Sequence, residues 1–148
     1  MSSSPAFIGA NWKMSLDLSE AEDLAKKISG FNDKLMNDVV IFPSFVHIHL
    51  ISKILRDTKF KLGAQDVAFC NEKAMTGEIS TRMLKDLGCD WVIVGHSERR
   101  HKINESSDIL LKKLERALED DFSVVFCIGE GMTDRKENNA EKVVISQL

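Results

Sequence analysis

No apolar run in this sequence approaches the ~18 residues needed to cross a bilayer. The opening Met1-Ser2-Ser3-Ser4-Pro5 has neither the basic region nor the apolar stretch of a secretory signal. Basic charge is not in excess: 20 Lys and Arg face 23 Asp and Glu, a net charge of −3, so no electrostatic footprint for nucleic acid or anionic lipid is present. Cysteines number three, Cys70, Cys89 and Cys127, widely spaced and without a Cys-x-x-Cys pair. They encode neither a disulfide framework nor a zinc site, and they read as free thiols. No linker, low-complexity tract, charge block or recurring motif divides the chain, so residues 1–148 are expected to form a single domain, with the cytosol as its compartment.

What is there is a globular composition, 43% apolar and 29% charged. It is organised around five short apolar runs: Phe7–Asn11, Val39–Phe42, Phe60–Gln65, Trp91–Val94 and Val124–Ile128. Their nearly continuous apolar character suits parallel strands covered on both faces. Amphipathic stretches lie between them. Ser19-x-x-Glu22 has the pattern of a capping box, with Leu24, Ala25 and Ile28 on one helical face and Gly30 as the stop. Ser44 to Leu55, Ser80 to Leu87 and Ser106 to Glu119 carry further helical spacings. The order is strand then helix, repeated, as in α/β folds with a parallel sheet. A last helix opens near Asn139 in a chain whose final residue is Leu148, leaving little length to bury its apolar face; the chain reads as cut short.

Two of the strand ends carry chemistry. Ligands in parallel α/β folds bind at the carboxyl ends of strands. Gly9-Ala10-Asn11-Trp12-Lys13 delivers an amide and an ammonium there, a neutral donor and a point charge suited to a phosphate and a substrate oxygen. In isolation Lys13 would be a solvated lysine, and Trp12 is packing. Gly95-His96-Ser97-Glu98-Arg99-Arg100-His101 places His96 between a buried strand and the start of a helix. The partial positive charge of a helix N-terminus disfavours imidazolium, leaving a neutral ring able to donate to a developing oxyanion. Glu98 could hold Lys13; taken alone it is a first-turn helix carboxylate. Arg99 and Arg100 read as structural ion-pair partners, and His47, His49 and His101 as packing or surface residues.

Asn11-Trp12-Lys13-Met14, Ala64-Gln65-Asp66-Val67, Thr76-Gly77-Glu78-Ile79-Ser80, Gly95-His96-Ser97-Glu98-Arg99-Arg100 and Cys127-Ile128-Gly129-Glu130 stand in the order and spacing of the triosephosphate isomerase family. The resemblance runs from Phe7 to the last residue, and the neutral histidine is a known property of that family rather than an independent result. It implies a (β/α)8 barrel, here an incomplete barrel of about five parallel strands with flanking helices. The activity it implies interconverts dihydroxyacetone phosphate and glyceraldehyde 3-phosphate through an enediolate, a step of glycolysis and gluconeogenesis, without cofactor or metal. Carried onto matching positions, Asn11 and Lys13 bind substrate, and His96, Lys13 and Glu98 act in catalysis, Glu98 by supporting Lys13. A homodimer is also implied, with Thr76, Gly77 and Glu78 at the interface beside the partner's site.

Eight strands in ~250 residues close the family's barrel, so five leave out its catalytic glutamate, its lid and its late phosphate loops. The chain alone is expected to have little or no isomerase activity, and its open strand edges to favour aggregation, pairing or association with a separately supplied remainder; because the segments of the implied dimer contact lie within it, some tendency to self-associate is expected as well. Two other readings stand beside this one. The first is a truncated, non-catalytic family member that serves as an interaction or binding module. The second is a different phosphate-handling barrel enzyme, which the joint presence of Asn11-Trp12-Lys13 and His96-Ser97-Glu98 disfavours.

Overall fold

A computed structural model describes residues 6–70 and 74–148; Met1–Pro5, where a secretory signal was sought, lies outside the described residues. Each apolar run becomes a strand: β1 (Phe7–Asn11), β2 (Asp38–Phe42), β3 (Lys61–Ala64), β4 (Trp91–Val94) and β5 (Ser123–Phe126). They form one five-stranded sheet in the order β1-β2-β3-β4-β5, and every neighbouring pair is parallel. Helices α1 (Leu18–Ser29), α2 (Phe45–Leu55), α3 (Thr81–Asp86), α4 (Ser97–Lys102), α5 (Ser107–Glu119), α6 (Met132–Lys136) and α7 (Ala140–Ser146) connect or follow the strands.

Alternation along each strand divides the core in two. Ile41, Leu62, Val92 and Val94 pack outward beneath Ala21 and Ala25 of α1, Ile48, Ile51 and Leu55 of α2, Leu84 of α3, and Leu110 and Ala117 of α5. Their neighbours Val40, Phe42 and Ile93 point to the other side, where Trp91, Val125 and Cys127 join them. In β2, β3 and β4 both faces are covered, which is why these runs are apolar throughout instead of alternating with polar residues. Gly63 is required on the inner side, because a Cβ there would overlap the Phe42 ring.

The sheet is a curled half-barrel. The Phe7 ring of β1 stacks on Trp91 of β4, three strands away in the sheet order, with centroids 4.9 Å apart and planes 26° from parallel. That contact is possible only if the strands between curve round an interior. β1 and β5 are each paired on one side, and Phe7 and Ile8 of β1 are 45% and 47% exposed.

Three local expectations are corrected. The capping box of α1 is Asp17 with Glu20, not Ser19 with Glu22: the Asp17 carboxylate accepts from the Glu20 N–H at 2.9 Å, and Glu20 accepts from the Asp17 N–H at 2.9 Å. Ser19 spends its hydroxyl on the Asp17 carboxylate, which starts the helix two residues earlier. Gly30 ends that helix in the right-handed region, at φ −65°, so its freedom at positive φ is not used. The final stretch holds two short helices, α6 and α7, where one was expected.

Candidate active site

Parallel strands put all their carboxyl ends on one rim, and there β1 and β4 bring the candidate residues together. Asn11 closes β1; its side-chain oxygen accepts the Lys13 N–H at 2.9 Å, a local turn that sends Lys13 into the left-handed region at φ 53°. A side chain rarely adopts that conformation, at a cost of about 1–2 kcal/mol, unless its surroundings impose it. Here they do. The Lys13 carbonyl accepts from Gln65 Nε2 at 2.9 Å and from the Ser44 hydroxyl at 2.7 Å. Gln65 also donates to the Phe42 carbonyl at 2.9 Å, which ties the end of β2 to the same point.

The Lys13 ammonium reaches across the rim to Glu98 Oε1, 3.2 Å away. Both groups are substantially exposed, so this pair positions more than it stabilises. The hydrogen bond from Lys13 comes first among the influences that hold the Glu98 carboxyl below its usual range, and the charge of Lys102 adds to it. Glu98 belongs to the first turn of α4, whose N-cap is His96. His96 Nδ1 accepts the Glu98 N–H at 3.2 Å, and Glu98 Oε2 lies 3.3 Å from the same nitrogen. A backbone amide can only donate, so Nδ1 carries the lone pair and the ring proton falls on Nε2, the nitrogen left to donate. Asn11, Lys13, Glu98 and His96 thus form one connected chain of contacts.

Gly95 makes the turn from β4 into α4. Its φ of +76° suits glycine, and a Cβ there would lie 2.8 Å from the Arg100 guanidinium and 3.1 Å from the Cys127 carbonyl. Arg100 takes no carboxylate partner among the described residues, contrary to the ion-pair reading. It donates to the Gly95 carbonyl at 2.8 Å and the Cys127 carbonyl at 3.0 Å, fastening the ends of β4 and β5 together over the Phe126 ring. Burial lowers its pKa. A cavity of about 250 Å³ opens beside His96, between Arg100 and the Cys127–Glu130 segment. A larger one, about 480 Å³, lies between α2 and α3 at the opposite, amino-terminal ends of β3 and β4, lined in part by Arg56, Lys61, Asp86 and Asp90, and holds none of the rim groups.

Arg99 does form ion pairs. Its guanidinium meets Asp66 at 2.9 Å and Glu105 at 2.5 Å, and Lys113 bonds both carboxylates at 2.7 Å. Lys113 is 2% exposed and Asp66 5%. Burial raises the Asp66 pKa, while at Glu105 the bonds from Arg99 and Lys113 outweigh burial and lower it. Thr76, Gly77 and Glu78 form an exposed turn, with Gly77 at φ 89°. Among the described residues no hydrogen bond or ion pair joins them to Asn11, Lys13 or His96. No group of three or more His, Cys, Asp or Glu side chains suited to a metal ion occurs among the described residues.

Sequence reasoning missed the work of Gln65, Ser44 and the Asp66–Lys113 pair. Their bonds join residues 52, 31 and 47 positions apart, and nothing local marks them.

The triosephosphate isomerase family model matches residues 6–148. The chain belongs to the triosephosphate isomerase family. It is 41% identical over 145 residues to the triosephosphate isomerase of Dictyoglomus turgidum, covering 95% of this chain and 57% of that protein. It is 40% identical over 143 residues to that of Lawsonia intracellularis, covering 95% and 57%. The triosephosphate isomerase of Dictyostelium discoideum is 40% identical over 146 residues, covering 96% and 56%. The chain therefore spans a little over half the length of these curated relatives. Its five strands are a partial barrel of the kind the family closes, and no helix among the described residues is long and apolar enough to cross a membrane.

Proposed function

We propose that these residues supply the anion-holding and carbonyl-polarising part of a triosephosphate isomerase site, acting in the cytosol on dihydroxyacetone phosphate and glyceraldehyde 3-phosphate. The observation that carries the reading is the contact chain from Asn11 through Lys13 and Glu98 to His96 on one rim. Asn11 has its oxygen engaged, so its NH2 group is free to donate to substrate. The Lys13 ammonium balances the charge of the anionic triose, and Glu98 keeps that ammonium over the rim. His96 donates from Nε2 to the substrate carbonyl and passes a proton between the two oxygens of the enediolate. A proton leaves one carbon and returns to its neighbour, so the isomerisation is redox-neutral overall. A preorganised donor aimed at such an oxyanion contributes about 3–4 kcal/mol to the barrier reduction.

The group that takes the carbon-bound proton in this family has no counterpart among these 148 residues, by the resemblance on which the reading rests. General-base catalysis supplies about 10²–10⁴-fold. A coupled assay of the purified chain with dihydroxyacetone phosphate should therefore show turnover lower than an intact relative by at least that range. Turnover close to an intact relative would overturn this division of labour.

Residues 1–148 act as a single unit in this reading and pair with a second copy, the exposed Thr76-Gly77-Glu78 turn reaching toward the partner's site. Sedimentation at micromolar concentration that finds monomer alone would contradict the pairing. A second reading, a non-catalytic member that serves as an interaction module, is favoured by the exposed Phe7 and Ile8 on the unpaired edge of β1. It is separated from the first by whether the cellular message stops after Leu148.

A further inference from the structure

Lys13 is held by two arms. Its carbonyl is gripped by Gln65, and its ammonium by Glu98. The residues that follow these two in sequence, Asp66 and Arg99, are bonded to one another at 2.9 Å beneath the rim. We propose that the Asp66–Arg99 pair is a positioning clamp that locks the two arms of Lys13 in register, so that the ammonium is set from below before any ligand arrives.

Several features support a clamp over a merely stabilising cluster. A lone buried pair could be replaced by apolar residues at no loss of stability, yet here two cations and two carboxylates are gathered where α4, α5 and the segment after β3 meet, with Asp66, Glu105 and Lys113 all more than nine-tenths buried. Arg99 sets two nitrogens of its planar guanidinium on one oxygen of Glu105, which fixes the direction of the group, and from there a terminal nitrogen meets Asp66 in an ion pair of 2.9 Å. It lies one residue from Glu98 on α4, a helix of only six residues, so a shift of its guanidinium carries Glu98 with it. On the other arm, Asp66 follows Gln65 directly after β3, where no regular element could absorb a movement. Glu78, in the exposed turn, adds its negative charge to the groups facing Arg99.

The proposal rests on the reading of Lys13 as the cation that meets the substrate, but its test needs no substrate. The Glu98 carboxyl reports the position of the ammonium, and the groups acting on it are Lys13, His96 and Lys102. In the full chain, carboxyl-carbon NMR titration of Arg99→Gln should shift the Glu98 midpoint upward, toward the ordinary glutamate range. Lys113→Gln damages the same cluster but leaves the Asp66–Arg99 bond, and should leave the midpoint in place. Arg99→Lys, which retains one cationic bond, should restore part of the difference. Equal movement in the Arg99 and Lys113 variants, or none in either, would overturn the clamp. Should Arg99→Gln not fold, the wild-type chain carries the test through hydrogen exchange. Amides of the Gln65–Val67 and Glu98–Arg100 segments should open as one unit, and independent opening would refute the coupling. Failure of the isomerase reading would appear instead as absent binding of dihydroxyacetone phosphate, with these ligand-free results unchanged.

Discussion

Replacing Lys13 by alanine or by glycine isolates the backbone strain at the centre of the site. Both substitutions remove the ammonium and its bond to Glu98, so that loss cancels between them. What differs is the cost of holding a Cβ at φ 53°. The left-handed region disfavours a side chain by about 1–2 kcal/mol. Glycine gives back about 0.5–1 kcal/mol of this through the greater freedom of its unfolded chain. Lys13→Gly should therefore be more stable than Lys13→Ala by about 0.5–1 kcal/mol, provided Asn11, Ser44 and Gln65 keep the loop in place in both. For a chain of this length that amounts to about 1–4 °C in Tm. Urea unfolding followed by circular dichroism, with equal slopes in both variants, measures the difference directly. An alanine variant as stable as the glycine variant would refute the argument, because the three hydrogen bonds would then not be imposing strain on this residue.

Gly95→Ala should destabilise the chain by at least about 1–2 kcal/mol in urea unfolding, since it forces a Cβ to positive φ and against the Arg100 guanidinium. Lys113→Met keeps the volume but leaves Asp66 with one cation fewer, and removing one member of a buried ion cluster costs about 3–5 kcal/mol; thermal unfolding checks it. The pH dependence has a definite sign at Asp120, whose carboxyl is held below its usual range first by the Thr81 hydroxyl and then by Arg116. Its contribution is fully present above the ordinary aspartate range and is lost as pH falls through the depressed folded value. Asp120→Asn should accordingly lose less stability between pH 5 and pH 2 than the parent chain, measured by urea midpoints across that range.

The fold was legible because each strand of a sheet covered on both faces must be apolar at nearly every position. Val39–Phe42 and Trp91–Val94 announced themselves for that reason, to within one residue of β2 and β4. Helix α5 was equally plain from the spacing of Ile109, Leu110, Leu114, Ala117 and Leu118. Boundaries set by side-chain competition were not. Asp17 and Ser19 both fit a cap, and only the geometry in which Ser19 donates to Asp17 decides between them. Helix α6 escaped because five exposed or half-buried residues carry no apolar period. Asn11, Lys13, His96 and Glu98, which the structure brings into one chain of contacts, were legible as candidates because they sit at or just after the ends of apolar runs. The residues that hold them could not be found that way. Gln65 looks like the last polar residue of a strand, Ser44 like a helix cap, and Lys113 like one more surface lysine of an amphipathic helix. Only the curled sheet brings them within hydrogen-bond distance of their partners.

The most direct test of the account is titration of the isotope-labelled chain with dihydroxyacetone phosphate, followed by NMR. Resonances of Asn11, Lys13, His96 and Glu98 are predicted to shift together, while those lining the cavity between α2 and α3 stay still; the Lys13→Met variant should lose the response. Shifts confined to that other cavity, or no shift at Lys13 and His96 at any concentration, would contradict it.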